Sequence, residues 1–144
     1  MIIRELNKSD AKSVAKIERL CFSSPWSEDA VASSISAGDI FLGAFEGATL
    51  MGYVGVRAFD DCGEIGNIAT HPDHRRQGIG KKLLLNLNEV LKIRGVYSVV
   101  LEVRVSNSPA ISLYEKCGYK NIGTRKNLYD NPREDGIVMK LEIM

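Results

Sequence analysis

The stretch HPDHRRQGIG, residues 71–80, has the residue types that bind an anion. Arg75 and Arg76 can donate charge-assisted hydrogen bonds, and Gly78 and Gly80 allow the backbone to approach a ligand closely. The segment lies between an apolar run that predicts a strand and an amphipathic run that predicts a helix. The first N–H groups of such a helix are unpaired, and its dipole adds partial positive charge at the same end. The sequence therefore predicts a phosphate-binding loop, with solvated arginines beside a glycine-bearing turn as the alternative.

Two common phosphate-binding loops do not fit this segment. In a GxxxxGK[ST] loop, Arg75 would stand where the first glycine belongs and Lys82 where the hydroxyl belongs. In a dinucleotide fingerprint, Leu83 would stand where the third glycine belongs. The pattern that fits is R/Q-x-x-G-x-G/A, formed by Arg75, Gly78 and Gly80.

Histidines and cysteines do not combine into a metal site. His71 and His74 lack the carboxylates or cysteines that would complete a ligand set, so we expect no metal. The three cysteines, Cys21, Cys62 and Cys117, are widely spaced and form no CxxC motif. This pattern predicts buried free thiols in a reducing compartment rather than disulfides.

The elements that position the loop predict one mixed α/β sheet with helices packed on it. An amphipathic first helix is indicated by apolar residues at Val14, Ile17, Leu20 and Cys21. Further helices are predicted after Ser27, over residues 79–95 and over residues 106–119. Strands are predicted at residues 2–6, twice within 39–59, at 62–71 and 96–105, near Lys120–Arg125 and at Gly136–Ile143.

Composition predicts an ordinary globular chain. The 144 residues carry a net charge of +1, which argues against a surface that coats nucleic acid or membrane. No signal-peptide core or long apolar run is present, so we expect a single domain, residues 1–144, located in the cytoplasm.

The motifs resemble those of the GNAT (Gcn5-related) N-acetyltransferases. GEIGNIATHPDHRRQGIGKKLL, SVVLEVRVSNSPAISLYEKCGY and REDGIVM are similar to the RimI branch of that family, and SSPWSED is similar to its loop between the first two helices. The resemblance implies a mostly antiparallel sheet of six to seven strands with about four flanking helices, splayed where acetyl-CoA binds. It also implies transfer of the acetyl group to the N-terminal α-amine of a protein, with the N-terminal alanine of ribosomal protein S18 as the expected acceptor.

The same resemblance implies which residues hold acetyl-CoA. Part of a strand and the start of the following helix supply most of them, and a bulge separates that strand from its neighbour so that the cofactor can pair with its edge. The implied cofactor-binding residues are Ile68, Ala69, Thr70, Arg75, Arg76, Gln77, Gly78, Ile79, Gly80, Lys81 and Asn107. Asn107 could equally be only the cap of the next helix.

Two residues are candidates for acid–base chemistry. Glu102 is a carboxylate among β-branched residues, and by resemblance it is the general base; pairing with Arg104, or an exposed position on the sheet, is the alternative. Tyr114 is by resemblance the general acid for the departing thiolate, whereas core packing is its default role.

The acceptor is less closely specified than the reaction. The RimI branch usually has a tyrosine where this chain has Leu128, and often an alanine where it has Gly136. The acidic residues Asp60, Asp61 and Glu64 could attract a cationic peptide end or could form a solvated loop. A lysine or small-molecule amine is an alternative acceptor, and a CoA-binding module without catalysis is a remoter alternative; we expect neither a membrane nor a nucleic-acid partner.

Overall fold

The computed structural model describes residues 1–143, and its helices and strands follow one another in the order that the sequence predicts. The strands are β1 (Ile2–Glu5), β2 (Ile40–Glu46), β3 (Thr49–Phe59), β4 (Cys62–Thr70), β5 (Ser98–Arg104), β6 (Lys120–Tyr129) and β7 (Glu134–Glu142). The helices are α1 (Ala11–Cys21), α2 (Glu28–Ser36), α3 (Ile79–Ile93) and α4 (Ser108–Lys116). Two single 3-10 turns lie at Lys8–Asp10 and Pro72–His74.

All seven strands form one sheet in the order β1-β2-β3-β4-β5-β7-β6. Neighbouring strands are antiparallel except β4 and β5, which are parallel because the α3 crossover connects them. The predicted mixed α/β sheet, mostly antiparallel with seven strands and four helices, is confirmed.

The sheet has a separate apolar layer on each face. On one face, α3 packs on β2, β3 and β4, and its residues Leu83 and Leu87 share an apolar layer with Val99 and Leu101 of β5 and with Tyr114 of α4. On the other face, α1 and α2 cover the first strands, and Val14 and Ile17 contribute to that layer. Alternation along β5 therefore turns Val99, Leu101 and Val103 toward α3 and α4, and Val100, Glu102 and Arg104 toward the α1 and α2 side.

Several helix ends lie at the residues that the sequence predicts. The Ser27 hydroxyl accepts a hydrogen bond from the Ala30 N–H at 3.1 Å at the start of α2. Pro109 lies in the first turn of α4, and Gly118 follows it with a φ of +96°.

Three expectations need correction. Leu20 is 51% exposed, and Glu18 occupies the buried face of α1 in its place, because position 18 lies one turn after Val14. Strand β6 continues to Tyr129, since the ladder with β7 resumes beyond an irregularity after Arg125. The cysteines are free, as predicted, but each is only partly buried.

Among residues 1–143, no helix is both long and apolar enough to span a membrane.

Candidate active site

Strands β4 and β5 separate in the middle of the sheet. They are in register only over Cys62–Glu64 and Ser98–Val100, and the rest of each strand has no partner on that side within the described residues. A bulge in β4 lies just beyond the last aligned pair, because Gly55 pairs with Asn67 and Val56 with Ile65, which leaves Gly66 as the extra residue. The result is an opening whose β4 edge consists of residues 66–70.

The start of α3 presents unpaired backbone N–H groups, as anion-binding helix starts do. Gly78 caps the helix in the left-handed region with a φ of +74° and supplies no side chain. The first backbone hydrogen bond of α3 runs from the Lys82 N–H to the Gly78 carbonyl at 3.1 Å. The N–H groups of Ile79, Gly80 and Lys81 precede it, and none of them donates to another atom of residues 1–143.

Gly80 allows α4 to pack against this helix start. A Cβ added at Gly80 would lie 3.0 Å from Leu113 Cδ2. The neighbour of Leu113 along α4 is Tyr114, so the close approach fixes the distance between the anion-binding turn and that tyrosine.

The two arginines of the loop differ in orientation. Arg75 donates from Nε to the Thr70 carbonyl at 3.4 Å and from Nη2 to Cys21 Sγ at 3.5 Å. It thus ties the loop to the end of β4 and to α1, which sequence reasoning did not anticipate. Arg76 and Lys81 are exposed and form no ion pair with any residue of the described chain. These two cations therefore remain to attract an anion.

Ile68, Ala69 and Thr70 form the β4 edge of the opening. They are in register with Val54, Tyr53 and Gly52 of β3 on their other side. Ala69 is buried and Ile68 packs on the core, so both contribute to folding as well as to the edge.

Glu102 lies beside the opening on the α1 and α2 side. Its side chain is 31% exposed, and its Oε2 accepts a hydrogen bond from Arg125 Nη1 at 2.6 Å. The alternative of a pair with Arg104 is wrong, because the Arg104 guanidinium binds Glu134 at 3.2 Å and the carbonyls of Asp130 and Pro132. The other carboxylate oxygen of Glu102 accepts no hydrogen bond from any residue in the described part of the chain.

Tyr114 approaches from the opposite face. It is 6% exposed and belongs to the apolar layer beneath α4. Burial raises the pKa of Tyr114 well above its ordinary value of 10.0, and negative charge on nearby Tyr129 or Cys117 would raise it further. The phenol therefore keeps its proton through the neutral range and can donate it.

Tyr129, at the end of β6, is electrostatically coupled to Glu102 and to Tyr114. The Arg104 guanidinium stacks over its ring at 4.6 Å from the centroid. Burial raises the pKa of Tyr129, and the Glu102 carboxylate raises it further while Arg104 opposes the shift. Tyr129 is thus close enough to Glu102 for the carboxylate charge to act on its hydroxyl.

Asn107 and the histidines have local roles. The Asn107 side-chain oxygen caps α4 by accepting from the Ala110 N–H at 3.3 Å, which leaves its amide N–H groups for a ligand. His71 Nδ1 accepts from the Asp73 N–H at 3.0 Å and so closes the turn before the anion loop. No three His, Cys, Asp or Glu side chains of residues 1–143 are grouped as a metal site requires.

The two departures from the RimI pattern contact each other. A Cβ added at Gly136 would lie 2.5 Å from Leu128 Cδ2. Leu128 therefore occupies the space that a side chain at position 136 would need, and the two differences form a single change in packing.

Sequence reasoning missed the buried carboxylate of Glu18. It is 1% exposed and accepts hydrogen bonds from the Trp26 N–H at 2.9 Å, from Asn67 Nδ2 at 2.9 Å and from the Tyr53 hydroxyl. Burial raises the pKa of Glu18, and the Trp26 and Asn67 hydrogen bonds oppose that shift. The available signal was a glutamate on the apolar face of α1.

Comparison with known proteins connects this geometry to a family. The family model described as Acetyltransferase (GNAT) family matches residues 11–119. The chain is 35% identical over 143 residues to the [ribosomal protein bS18]-alanine N-acetyltransferase of Escherichia coli (strain K12), covering 98% of this chain and 97% of that protein. The corresponding Salmonella typhimurium (strain LT2) enzyme is 33% identical over 140 residues, covering 96% and 95%.

A solved structure shows the same architecture. The crystal structure of the ribosomal-protein-S18-alanine N-acetyltransferase from Escherichia coli superposes with a TM-score of 0.91 at 35% identity, covering 99% of this chain and 93% of that chain. The separated strands, the anion-binding helix start and this similarity over nearly the whole length agree with one another. The chain therefore belongs to the GNAT acetyltransferase family and is an acetyl-CoA-dependent N-acetyltransferase.

Proposed function

We propose that this chain transfers the acetyl group of acetyl-CoA to the N-terminal α-amine of a protein, with the N-terminal alanine of ribosomal protein bS18 as the acceptor. One observation carries the proposal: a carboxylate, Glu102, and a protonated phenol, Tyr114, lie on opposite faces of the sheet beside the opening between β4 and β5. The names of the two bacterial relatives support the acceptor. A ribosomal acceptor in turn supports a cytoplasmic location.

Acetyl-CoA would be held along the β4 edge and the start of α3. The backbone of Ile68, Ala69 and Thr70 would pair with the extended arm of the cofactor, and the Asn107 amide would donate to the same arm. The segment from Arg76 to Lys81, including Gln77, Gly78, Ile79 and Gly80, would bind the phosphates through backbone N–H groups and two cations. Arg75 would act on the shape of this loop, since its guanidinium already binds Thr70 and Cys21.

Acetyl transfer then needs one base and one acid. The amine nitrogen attacks the thioester carbonyl carbon, and Glu102 accepts the proton that the nitrogen loses, directly or through water. The carbon–sulfur bond breaks as the tetrahedral intermediate collapses, and the Tyr114 hydroxyl donates its proton to the CoA thiolate. A backbone N–H on the unpaired β4 edge would stabilise the oxyanion.

An α-amine suits this arrangement better than a lysine. The pKa of a free α-amine is about 7.7–8.0, whereas that of lysine is about 10.4. Near neutral pH roughly one α-amine in ten is already neutral, against fewer than about one lysine in a thousand. An α-amine therefore needs deprotonation by Glu102, a single partly exposed carboxylate, less often than a lysine does.

The test is a mass-spectrometric acetylation assay with acetyl-CoA and two peptides. One peptide begins with the free alanine terminus of ribosomal protein bS18; the other is blocked at its terminus and carries an internal lysine. We expect the mass of one acetyl group to be added to the free terminus alone. Acetylation of the blocked peptide would identify a lysine acetyltransferase, and tight CoA binding without any product would indicate a binding module.

A further inference from the structure

Glu18 is the one acidic side chain in the described residues that is fully buried, and it joins three separate parts of the chain. Its Oε1 accepts from the Trp26 N–H in the loop between α1 and α2. Its Oε2 accepts from the Tyr53 hydroxyl of β3 and from the Asn67 amide of β4. A buried carboxylate is stable only when such donors satisfy it, so these contacts hold the loop and both strands in one arrangement.

Trp26 lies against the bulge of β4. A Cβ added at Gly66 would be 3.7 Å from Trp26 Cη2 and 3.9 Å from Cζ2. The indole ring therefore faces the bulge, at the distance where a side chain at position 66 would make van der Waals contact with it. Glu18 binds the backbone of Trp26 on one side and Asn67, the residue after Gly66, on the other.

The parallel register places this contact opposite Glu102. Glu64 of β4 is aligned with Val100 of β5 in the last matched pair. Gly66 and Glu102 each lie two residues beyond that pair, so both face the α1 and α2 side of the sheet. Trp26 and Glu102 consequently flank the same opening from its two edges.

We propose that Glu18 is a positioning residue for the acceptor, because it fixes Trp26 and the β4 bulge as the wall of the opening that faces Glu102. This inference rests on the proposed function, in which the acceptor amine reaches Glu102 from that face. Glu18 itself is buried and touches neither substrate. Its role is to keep the width of the acceptor opening constant.

The variant Glu18→Gln tests the inference with little change in shape. The glutamine NH2 group accepts no hydrogen bond, so the side chain loses either the Trp26 N–H bond made to Oε1 or the Asn67 bond made to Oε2. The wall therefore loses at least one hydrogen bond. We expect the KM for the acceptor peptide to rise about five- to tenfold while the KM for acetyl-CoA changes less than about twofold. The control is Leu91→Val, which loosens the core at the far end of α3, away from the opening.

Trp26 provides a second readout that requires no substrate. It is the only tryptophan in the chain, so the intrinsic fluorescence spectrum reports on this wall. We expect Glu18→Gln to shift the emission to longer wavelength and to increase quenching by acrylamide, whereas Leu91→Val at matched loss of stability does neither. Unchanged fluorescence, or equal effects of both variants on the acceptor KM, would overturn the inference.

The two readouts separate the inference from the proposed function. A wild-type protein that acetylates neither peptide removes the proposed acceptor, whatever Trp26 does. Normal acetylation of the free terminus by wild type, with no change of fluorescence or acceptor KM in Glu18→Gln, removes the role of Glu18 alone.

Discussion

The two sides of the opening between β4 and β5 are built by different means. On the α3 and α4 side, unpaired backbone N–H groups line the start of α3, and Tyr114 belongs to the apolar layer beneath α4. On the α1 and α2 side, charged side chains from distant segments do most of the positioning: Glu18 holds Trp26, and Arg104 holds Glu134 and the loop before it. The hydroxyl of Ser23 also binds the Asn131 carbonyl, 108 residues away, at 3.1 Å.

This difference fits the two substrates. A phosphate-bearing cofactor presents the same groups every time, so fixed N–H donors at a helix start suffice. A protein terminus varies, and a surface made of side chains can change with few substitutions. We therefore expect variants on the first side to act on acetyl-CoA and variants on the second side to act on the acceptor.

Loss of the proposed base should be the largest effect. Glu102→Gln removes the proposed proton acceptor, so kcat/KM for the peptide should fall by about 10²- to 10⁴-fold. Binding of acetyl-CoA, measured by calorimetry, should be unchanged because Glu102 lies on the acceptor side. Glu89→Gln, an exposed carboxylate on α3, serves as the matched control. Full activity of Glu102→Gln would assign the base elsewhere.

Loss of the proposed acid, Tyr114, should be the next largest effect. Tyr114→Phe should lower kcat about 10²-fold with the KM for the peptide nearly constant, since the phenol acts only when the thiolate leaves. The raised pKa of Tyr114 also predicts that wild-type activity does not decline between pH 7 and 9 through loss of this proton. A pH profile of kcat checks both points; a decline that Tyr114→Phe abolishes would contradict them.

The two loop arginines should separate cofactor binding from loop support. Arg76→Ala removes an exposed cation at the start of α3 and should raise the KM for acetyl-CoA about tenfold at low salt, with kcat retained. Added salt should reduce the difference from wild type. Arg75→Ala should instead lower the thermal midpoint, because Arg75 binds Thr70 and Cys21. If Arg75→Ala instead raises the KM for acetyl-CoA and Arg76→Ala lowers the thermal midpoint, Arg75 turns toward the phosphates on binding.

The acceptor side should be sensitive to side-chain fit at Gly136. Gly136→Ala would place its Cβ against Leu128, which should cost about 1 kcal/mol of unfolding free energy, the low end for overpacking because the Leu128 methyl group can move. Leu128→Ala in the same chain should remove most of that penalty. Urea unfolding of the two single variants and the double variant measures the coupling, and additive losses would show that the residues are independent.

The same contrast explains what could be predicted from the sequence. The anion loop could be predicted because Gly78 and Gly80 have fixed spacing from Arg75 and precede an amphipathic helix; each of these signals is local. The sheet followed for the same reason, since alternation and turn residues are read within short windows. The resemblance then supplied Glu102 and Tyr114 as candidates.

The rest of the site depends on contacts between residues far apart in the chain. The partners of Glu18 lie 8, 35 and 49 residues away, and Glu102 pairs with Arg125, 23 residues away, instead of its near neighbour Arg104. No local pattern distinguishes these pairings. Leu128 and Gly136 were noted as separate departures, because only the β6 and β7 pairing brings them together.

The smallest expected effect is a pH dependence of stability on the acceptor side. Burial raises the pKa of Glu18 in the folded state above its ordinary value of 4.5, so the protonated carboxyl favours folding. That contribution is fully present below about pH 4.5 and is lost as the pH rises through the folded-state pKa.

The variant Glu18→Gln has no such titration. The unfolding free energy of wild type relative to Glu18→Gln should therefore decline from pH 4.5 toward neutrality, whereas wild type relative to Leu91→Val should stay constant. Urea unfolding at a series of pH values measures both differences. If the difference in unfolding free energy between wild type and Glu18→Gln does not change with pH, the three hydrogen bonds to Glu18 offset the cost of burying its charge. The stability of the acceptor side would then show no pH dependence from Glu18.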